Sequence, residues 1–377
     1  MAKKKINIFY CIADSSLTGA PRHLLSLIDN LDGKDFTVSV IVPQGPLADE
    51  LKSRNIPVFL VPMKRRSDMA AIKAIEKLLK KYDPDIIHAH GSRAGLFARL
   101  AAKDLPIKVV YTEHTRTPEF KLANPVLDWG HIKASTMLGK FTDMHIAVSN
   151  AVKNFLLNNK IAKPHTITTI YNGIEQKPSD QIDTDTLNII NKYGLKKKDV
   201  LIGTIGSLNL QKDTATLIKA MPKIIKKLPS AKLIIVGSGP LKYKLQKLVK
   251  KLNLTGKVIF TGSIKDISSI LQLFTVFVLP SKSEAFGISI LEAMRANVPV
   301  IATRVGGIPE VVTHNQNGIL IQPNNFKVLA STVVRLLNDK KLQRKIIKNG
   351  LDTVKKFSSN KMVNETAKLY KKLINKG

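Results

Sequence analysis

Two glutamates, Glu284 and Glu292, lie eight residues apart in residues 280–312, PSKSEAFGISILEAMRANVPVIATRVGGIPEVV. A Pro- and Ser-containing break, followed by helical spacing of apolar residues, predicts that Glu284 immediately precedes a helix. Glu292 would then lie about two turns along that helix. The free N–H donors at the helix N-terminus, which attract phosphate, would be the amides of Phe286, Gly287 and Ile288. A carboxylate beside the phosphates could bind sugar hydroxyls, and one further along could accept from a ribose diol.

Apolar runs of strand length flank this helix at 275–279 and 299–303. Strand, turn, helix and strand in that order form the repeating unit of a parallel doubly wound α/β sheet. Gly287 removes a side chain where a ligand has to approach closely. The spacing of the two glutamates alone is also compatible with an ordinary strand–helix unit that carries surface carboxylates.

The whole stretch resembles the signature of retaining GT-B glycosyltransferases of family 4, PS-x-x-E-x-F-G-x-x-x-x-E-A-M-A-x-x-x-P-V-I-A-T-x-x-G-G-x-x-E. Every fixed element is present except one alanine, which is Arg295 here. The resemblance implies a GT-B fold, in which two Rossmann-like doubly wound parallel-sheet domains face a cleft. It also implies a nucleoside-diphosphate sugar as donor, with Glu292 on the ribose and Glu284 on the sugar hydroxyls.

A second candidate for diphosphate binding is the segment after the strand that begins at Val200. Gly206 at the strand end offers free amides, and Lys212 before the next helix offers a positive point charge. The corresponding family pattern is G-R-x-x-x-x-K-G. Ser207 replaces its arginine and Asp213 replaces its second glycine, so Lys212 is expected to carry the charge with less help, unless Arg304 contributes.

Two further turns of the second half resemble the family. Residues 236–240 match V-G-x-G-P and include Gly239, and the resemblance implies that the turn at 262–265 holds the base through backbone groups of Ser263 and Ile264. A dinucleotide fingerprint would require G-x-G-x-x-G, which residues 241–242 do not complete. An NAD-dependent enzyme is therefore disfavoured.

The first half carries weaker signals. Gly19 lies in a loop between a strand and a helix, a position that suits a phosphate or simply a tight turn. The family has a glycine pair here, whereas this chain has one. His114 follows a predicted strand, where α/β folds place ligands, and it matches the family's T-x-H histidine, which points at the donor sugar. His88 and His90 lack a third ligand nearby in sequence, so a metal site is disfavoured.

Length and composition predict a two-domain protein. The chain has 377 residues, 44% of them hydrophobic, and one cysteine, Cys11, which excludes an internal disulfide. We expect a Rossmann-like acceptor-side domain over 1–178 and a nucleotide-sugar-binding domain over 179–357. The resemblance implies that a last helix, in 358–377, crosses back to the first domain.

The net charge of +32 is unevenly distributed. Residues 1–180 contain 26 Lys and Arg against 17 Asp and Glu, and residues 181–377 contain 34 against 11. Only 6% of residues are aromatic and no nucleic-acid-binding motif is present, so nucleic acid is disfavoured as a partner. An anionic lipid surface or a polyanionic substrate fits better, and a lysine-rich genome is the plain alternative.

The N-terminal apolar run is too short for a signal peptide, and no run approaches the about 18 apolar residues of a spanning helix. We therefore expect a cytoplasmic protein, either free or peripheral on the inner face of the cell membrane. The densest basic surface of the first half is expected at Lys64, Arg65, Arg66, Lys73, Lys77, Lys80 and Lys81.

Together these observations favour a retaining hexosyltransferase that uses a UDP- or GDP-sugar without a metal or other cofactor. The expected catalytic residues are His114, Glu284 and Lys212, and the acceptor is expected to be lipid-linked or a surface polysaccharide. A nucleotide-sugar epimerase of GT-B architecture is an alternative. So is a non-catalytic nucleotide-sugar-binding or membrane-associated protein, which the departures at Thr18 and Ser207 would favour.

Overall fold

The computed structural model describes residues 4–17, 19–121, 124–176, 182–264 and 267–375. The chain divides into two compact units, Met1–Gly173 with Ser359–Gly377 (unit 1) and Ile174–Ser358 (unit 2). The domain boundary expected between residues 178 and 179 lies outside the described residues, as do Thr18 and Lys265.

Unit 1 is built on a seven-stranded parallel sheet with the order β3-β2-β1-β4-β5-β6-β7. Its strands are Ile6–Ile12 (β1), Phe36–Val42 (β2), Val58–Leu60 (β3), Ile86–His90 (β4), Lys108–Glu113 (β5), Met144–Ala147 (β6) and Ile167–Thr169 (β7). Its first six helices are Ala20–Asn30 (α1), Pro46–Ser53 (α2), Met69–Tyr82 (α3), Ser92–Ala102 (α4), Pro125–Gly139 (α5) and Asn150–Asn158 (α6).

Unit 2 is built on a six-stranded parallel sheet with the order β10-β9-β8-β11-β12-β13. Its strands are Val200–Ile205 (β8), Ala231–Val236 (β9), Val258–Gly262 (β10), Val276–Leu279 (β11), Val300–Thr303 (β12) and Ile319–Ile321 (β13). Its helices are Thr184–Lys192 (α7), Thr214–Lys227 (α8), Lys242–Lys251 (α9), Ile267–Leu271 (α10), Ile288–Arg295 (α11), Ile308–Val311 (α12), Phe326–Asn338 (α13) and Lys340–Lys356 (α14).

The strands are continuous apolar runs in the sequence because helices cover both faces of each sheet, so that side chains on both faces are buried. In β1, the side chains from Ile8 to Ile12 are all buried, and those of β11 are buried from Val276 to Leu279. Each sheet has a topological switch point, between β1 and β4 in unit 1 and between β8 and β11 in unit 2. Such points are where doubly wound folds bind ligands, at the carboxyl ends of the strands. The two-sheet α/β architecture predicted from the sequence is confirmed.

The last helix, Ser359–Ile374 (α15), belongs to unit 1. Its Tyr370 is fully buried, and the hydroxyl of this residue lies 2.6 Å from Nδ1 of His88 and 3.3 Å from the hydroxyl of Tyr10. Lys371 forms an ion pair with Asp35. The C-terminal segment therefore completes the core beneath β1 and β4.

Two helices have no counterpart in the sequence prediction, α5 and α9. In α5, large apolar side chains occur on several sides of the helix, so no period of 3.6 residues marks a buried face. A local signal is nevertheless present, because Pro125 occupies the first turn and the side chain of Asn124 accepts a hydrogen bond from the amide of Val126 at 2.8 Å.

Candidate functional site

The switch point of unit 2 brings Lys212 and Glu284 together. Lys212 lies in the loop after β8 and Glu284 in the loop after β11, and the Lys212 ammonium donates to Oε2 of Glu284. The hydroxyl of Ser281 also donates to this oxygen, at 3.4 Å. The two side chains are 25% and 12% exposed, so both are partly desolvated. The charges predicted to bind phosphate and sugar thus form an ion pair with each other.

Backbone hydrogen bonds hold the two loops in contact. The amide of Lys282 donates to the carbonyl oxygen of Gln211 at 2.7 Å, immediately before Lys212. The amide of Lys212 donates to the side-chain oxygen of Asn209 at 3.1 Å. These bonds hold the two loops together independently of the ion pair.

Asp213 explains how the chain does without the family's second glycine. Its φ is +44°, in the left-handed region that glycine enters more easily than other residues. Its carboxylate accepts from the hydroxyl of Thr216 at 2.6 Å and lies 3.6 Å from the ammonium of Lys282. These contacts stabilise the loop in the conformation that the glycine would adopt. Ser207, in place of the family's arginine, is exposed.

Gly287 is the N-cap residue of helix α11, and its backbone has a left-handed conformation that favours glycine. Its φ is +89°, and a Cβ there would lie 3.0 Å from Cδ1 of Ile290. Phe286 is buried, and its ring packs edge-on against that of Phe357 with the ring centres 5.4 Å apart. Ile288 is half-buried at the first position of the helix. Glu292 is half-buried on the same helix. The structure therefore places both glutamates on the predicted loop–helix element.

Two further predicted glycines of unit 2, Gly206 and Gly239, lie in close contact with the loop after β8. A Cβ on Gly239 would lie 2.6 Å from the backbone nitrogen and oxygen of Leu208, so this turn packs directly on the loop after β8. Gly206 lies beneath the side chain of Lys212. Ser263 is exposed and Ile264 buried in the turn after β10. All of the predicted nucleotide-binding positions of unit 2 thus follow the carboxyl ends of β8 to β11.

The carboxyl edge of unit 1 carries a cluster of histidines. His90 is the last residue of β4, His114 follows β5, and His23 lies in the first turn of α1 just after Gly19. Nδ1 of His90 and Nε2 of His114 are 3.1 Å apart, and the ring of His23 packs edge-on against that of His114 at 4.9 Å. Gly19 has a φ of +47° and begins α1.

These imidazoles are neutral at physiological pH. Burial lowers the pKa of His23 and of His114 to about 3, and it holds the pKa of His90 well below the ordinary histidine value. Neighbouring histidines reinforce each shift. His114 can therefore offer a hydrogen bond to an uncharged group, such as a sugar hydroxyl, but no positive charge. His23 was not among the predicted site residues, because only the fold brings α1 to this edge.

Among the described residues, no helix combines the length and the apolar character needed to cross a membrane.

The comparisons with known proteins agree with this geometry. Residues 185–353 match the family described as glycosyl transferases group 1, and residues 17–177 match glycosyltransferase family 4. The chain is 30% identical to the Escherichia coli UDP-Gal:alpha-D-GlcNAc-diphosphoundecaprenol alpha-1,3-galactosyltransferase, over 93% of this chain and 95% of the relative. It is 28% identical to the Staphylococcus aureus capsular polysaccharide biosynthesis glycosyltransferase CapM, over 91% and 92% of the two chains.

A solved structure with the same fold is Anabaena Alr3699/HepE in complex with UDP-glucose. The TM-score is 0.83 at 20% sequence identity, and the alignment covers 97% of this chain and all of the other.

Proposed function

Because the chain belongs to the GT-B glycosyltransferases of family 4, we propose that it transfers a hexosyl group from a UDP-sugar, with retention of anomeric configuration, to a lipid-linked acceptor of the cell envelope. The observation that carries the proposal is the Lys212–Glu284 pair at the switch point of unit 2. It combines a cation for a diphosphate with a carboxylate for a sugar in one partly buried place.

In the proposed mechanism the donor exchanges partners with this ion pair. The diphosphate takes the Lys212 ammonium, and Glu284, released from it, accepts hydrogen bonds from the sugar hydroxyls. As the bond from the anomeric carbon to the diphosphate breaks, its electrons move onto the phosphate oxygen. Lys212 and the amides at the start of α11 stabilise that charge. The anomeric carbon then bonds, on the same face, to the oxygen of the acceptor hydroxyl, and the departing phosphate oxygen takes the proton of that hydroxyl.

The other site residues position the donor. Glu292 accepts from the ribose diol, and the turn at Ser263 and Ile264 holds the base through its backbone. His114, being neutral, hydrogen-bonds a hydroxyl of the transferred sugar. Because Lys212 and the backbone amides supply the positive charge that a metal would otherwise supply, turnover needs no divalent metal.

The acceptor side is proposed to recognise an anion. The guanidinium of Arg93 donates to the carbonyl oxygens of Ala13 at 2.9 Å and Lys64 at 3.1 Å, and that of Arg66 donates to the Ser92 hydroxyl at 3.3 Å. All three acceptors are neutral, so these bonds position the guanidiniums without cancelling their charge. Partial burial, and then the positive charges of Arg116 and Arg93, lower the pKa of Arg66. Such a concentration of arginines suits a phosphate-bearing acceptor.

Helix α5 supports a membrane location for that acceptor. It exposes Val126, Leu127, Trp129 and Met137, each by 63% or more. The Lys133 ammonium lies 5.7 Å from the centre of the Trp129 ring, and Lys121 and Lys140 are exposed at either end. Exposed apolar side chains, a tryptophan and lysines together suit the interface of an anionic leaflet. We therefore assign this surface, the α5 face, to anionic lipid.

The test is a thermal-shift panel of UDP-, GDP- and ADP-sugars, followed by transfer assays with the stabilising donor. We expect a UDP-sugar to raise the melting temperature, because a ligand that binds only the native state stabilises it. Transfer to a diphosphate-linked lipid acceptor should persist in EDTA. Stabilisation without transfer or donor hydrolysis would indicate a non-catalytic binding protein, and abolition by EDTA with rescue by Mg²⁺ would contradict the mechanism.

A further inference from the structure

The histidine cluster of unit 1 has the geometry of a metal-ligand set. One ring nitrogen from each of His23, His90 and His114 lies within 4.8 Å of the other two. The three residues come from α1, from the end of β4 and from the loop after β5, and they are 67 and 24 positions apart in sequence. A set assembled from three separate elements is held by the sheet and not by one flexible loop.

The rings are prepared to donate lone pairs. His23 is only 6% exposed, yet its Nδ1 has no hydrogen-bond partner among the described residues. A buried polar nitrogen normally has a partner, so an unpartnered one beside two further imidazoles points to a ligand. His114 is half-buried, and solvent can reach the cluster on its side.

We propose that His23, His90 and His114 bind a zinc ion and leave its fourth coordination position open. Three imidazoles with one open position form a common ligand set for this metal. At a Zn–N distance of about 2.0–2.1 Å, two tetrahedral ligand nitrogens are about 3.3 Å apart. The 3.1 Å separation between His90 Nδ1 and His114 Nε2 is close to that value. The ligand nitrogen of His23 lies within 4.8 Å of those of the other two rings, so its side chain has to rotate to bring it closer.

The neighbouring histidine His88 is not part of the site. Its two ring nitrogens are taken, Nδ1 by the Tyr370 hydroxyl at 2.6 Å and Nε2 by Thr112 Oγ1 at 2.7 Å. Its ring centre lies 4.2 Å from that of His90, with the two planes tilted by 35°, and this contact helps to fix the orientation of the His90 ligand.

Zinc at this site would regulate the enzyme. A metal on Nε2 of His114 fixes the proton of this ring on Nδ1 and adds a positive charge to the cluster, so the neutral ring that is proposed to bind a sugar hydroxyl is altered and zinc acts as a reversible inhibitor. This consequence rests on the proposed function, whereas the metal site itself does not. The site is also compatible with metal-independent turnover, because the inhibited form is the zinc-bound one.

The experiment measures metal binding directly on the full-length chain after chelation and dialysis. Zn²⁺ is titrated in competition with a chromophoric chelator, and Co²⁺ is titrated with its visible absorption as a reporter of tetrahedral coordination. We expect one Zn²⁺ per chain and an intense Co²⁺ spectrum that Zn²⁺ abolishes, while Mg²⁺ has no effect because imidazole does not favour it.

The variants His23→Gln and His90→Gln should each weaken Zn²⁺ binding at least about tenfold, since the loss of even an outer-shell partner costs 10–100-fold. His165→Gln is the matched control, because His165 is exposed and lies outside the cluster. Zn²⁺ should inhibit the wild type and the control, and His23→Gln should resist it.

Equal Zn²⁺ affinity in all four proteins, or a Co²⁺ spectrum of octahedral type in the wild type, would overturn the site. The wild-type spectrum decides the question even if a variant misfolds. Tight zinc binding without inhibition would uphold the site and overturn its regulatory role.

Discussion

The two units have closely related sheets but opposite chemistry at the ends of their strands. Both sheets are parallel. In each, the order in which strands are added to the sheet reverses between the first and the fourth strand, which are neighbours. At that point unit 1 presents neutral, buried imidazoles, whereas unit 2 presents a lysine, glutamates and glycine turns. The topology thus determines where a ligand binds, and a few side chains after the strands determine which ligand.

The distribution of histidines makes the contrast measurable. Seven of the eight histidines lie in unit 1, and unit 2 contains His314 alone. Burial keeps most of the seven uncharged, while the central pair of unit 2 is ionic. The two halves should therefore respond differently to mutation, to acid and to lipid.

The largest effect is expected from Lys212→Ala in unit 2. Removal of the cation that balances the leaving diphosphate should lower kcat/KM by about 100–1,000-fold, as loss of one preorganised donor does elsewhere. Steady-state transfer assays measure this effect. Lys282→Ala is the control, since Lys282 lies nearby but contacts Asp213. A Lys212→Ala enzyme with the activity of the control would show that the diphosphate is stabilised elsewhere.

The next effect separates the roles of Glu284 and Glu292 in unit 2. Glu292→Ala should weaken binding of free UDP about tenfold or more, because it removes an acceptor from the ribose diol. Glu284→Ala should not weaken UDP binding, because it frees Lys212 from a competing carboxylate, and it should mainly lower kcat, since the partner of Glu284 in the complex is the sugar. Calorimetry with UDP and transfer kinetics measure the two quantities. Equal loss of UDP binding in both variants contradicts the assignment.

Acid should destabilise unit 1 before unit 2. The pKa of His23 and of His114 is about 3 in the folded chain and about 6.5 when unfolded, so the unfolded state binds more protons between these values. Stability is therefore full above about pH 6.5 and falls as the pH decreases toward 3. At pH 5 each of the two histidines lowers the free energy of unfolding by about 2 kcal/mol.

Hydrogen exchange at pH 7 and pH 5, resolved by segment, checks this expectation. Protection of β1 and β4 should fall on acidification while that of β8 and β11 changes less. His23→Gln should reduce the pH dependence in unit 1, and His165→Gln should leave it unchanged. Parallel loss of protection in both sheets would show that the buried histidines do not control acid stability.

The smallest effect concerns the α5 face. Leu127→Ser combined with Trp129→Ser should weaken binding to anionic vesicles about tenfold, because less apolar surface enters the interface. Tyr243→Ser is the matched control, since Tyr243 is 67% exposed in unit 2 with the Lys247 ammonium 4.6 Å from its ring centre. Vesicle sedimentation at low and high salt measures the change. Indifference of the wild type to anionic vesicles at low salt would contradict the lipid assignment.

The sequence alone determined the fold class and the loop–helix element of Glu284 and Glu292. These residues are contiguous with a buried strand and a helix, so local periodicity and turn residues suffice to place them. The same reasoning placed Gly206 and Lys212 after β8 and His114 after β5. It did not find α5, whose apolar residues lack a helical period, or α9.

Tertiary structure decided which of these residues meet. Lys212 and Glu284 are 72 positions apart, and they pair because β8 and β11 are neighbours in the sheet. His23, His90 and His114 converge only because α1 starts beside the ends of β4 and β5, and Tyr370 reaches His88 from the last helix of the chain. The physical reason is that side-chain type and period describe one element at a time, whereas strand order decides which strand ends are neighbours.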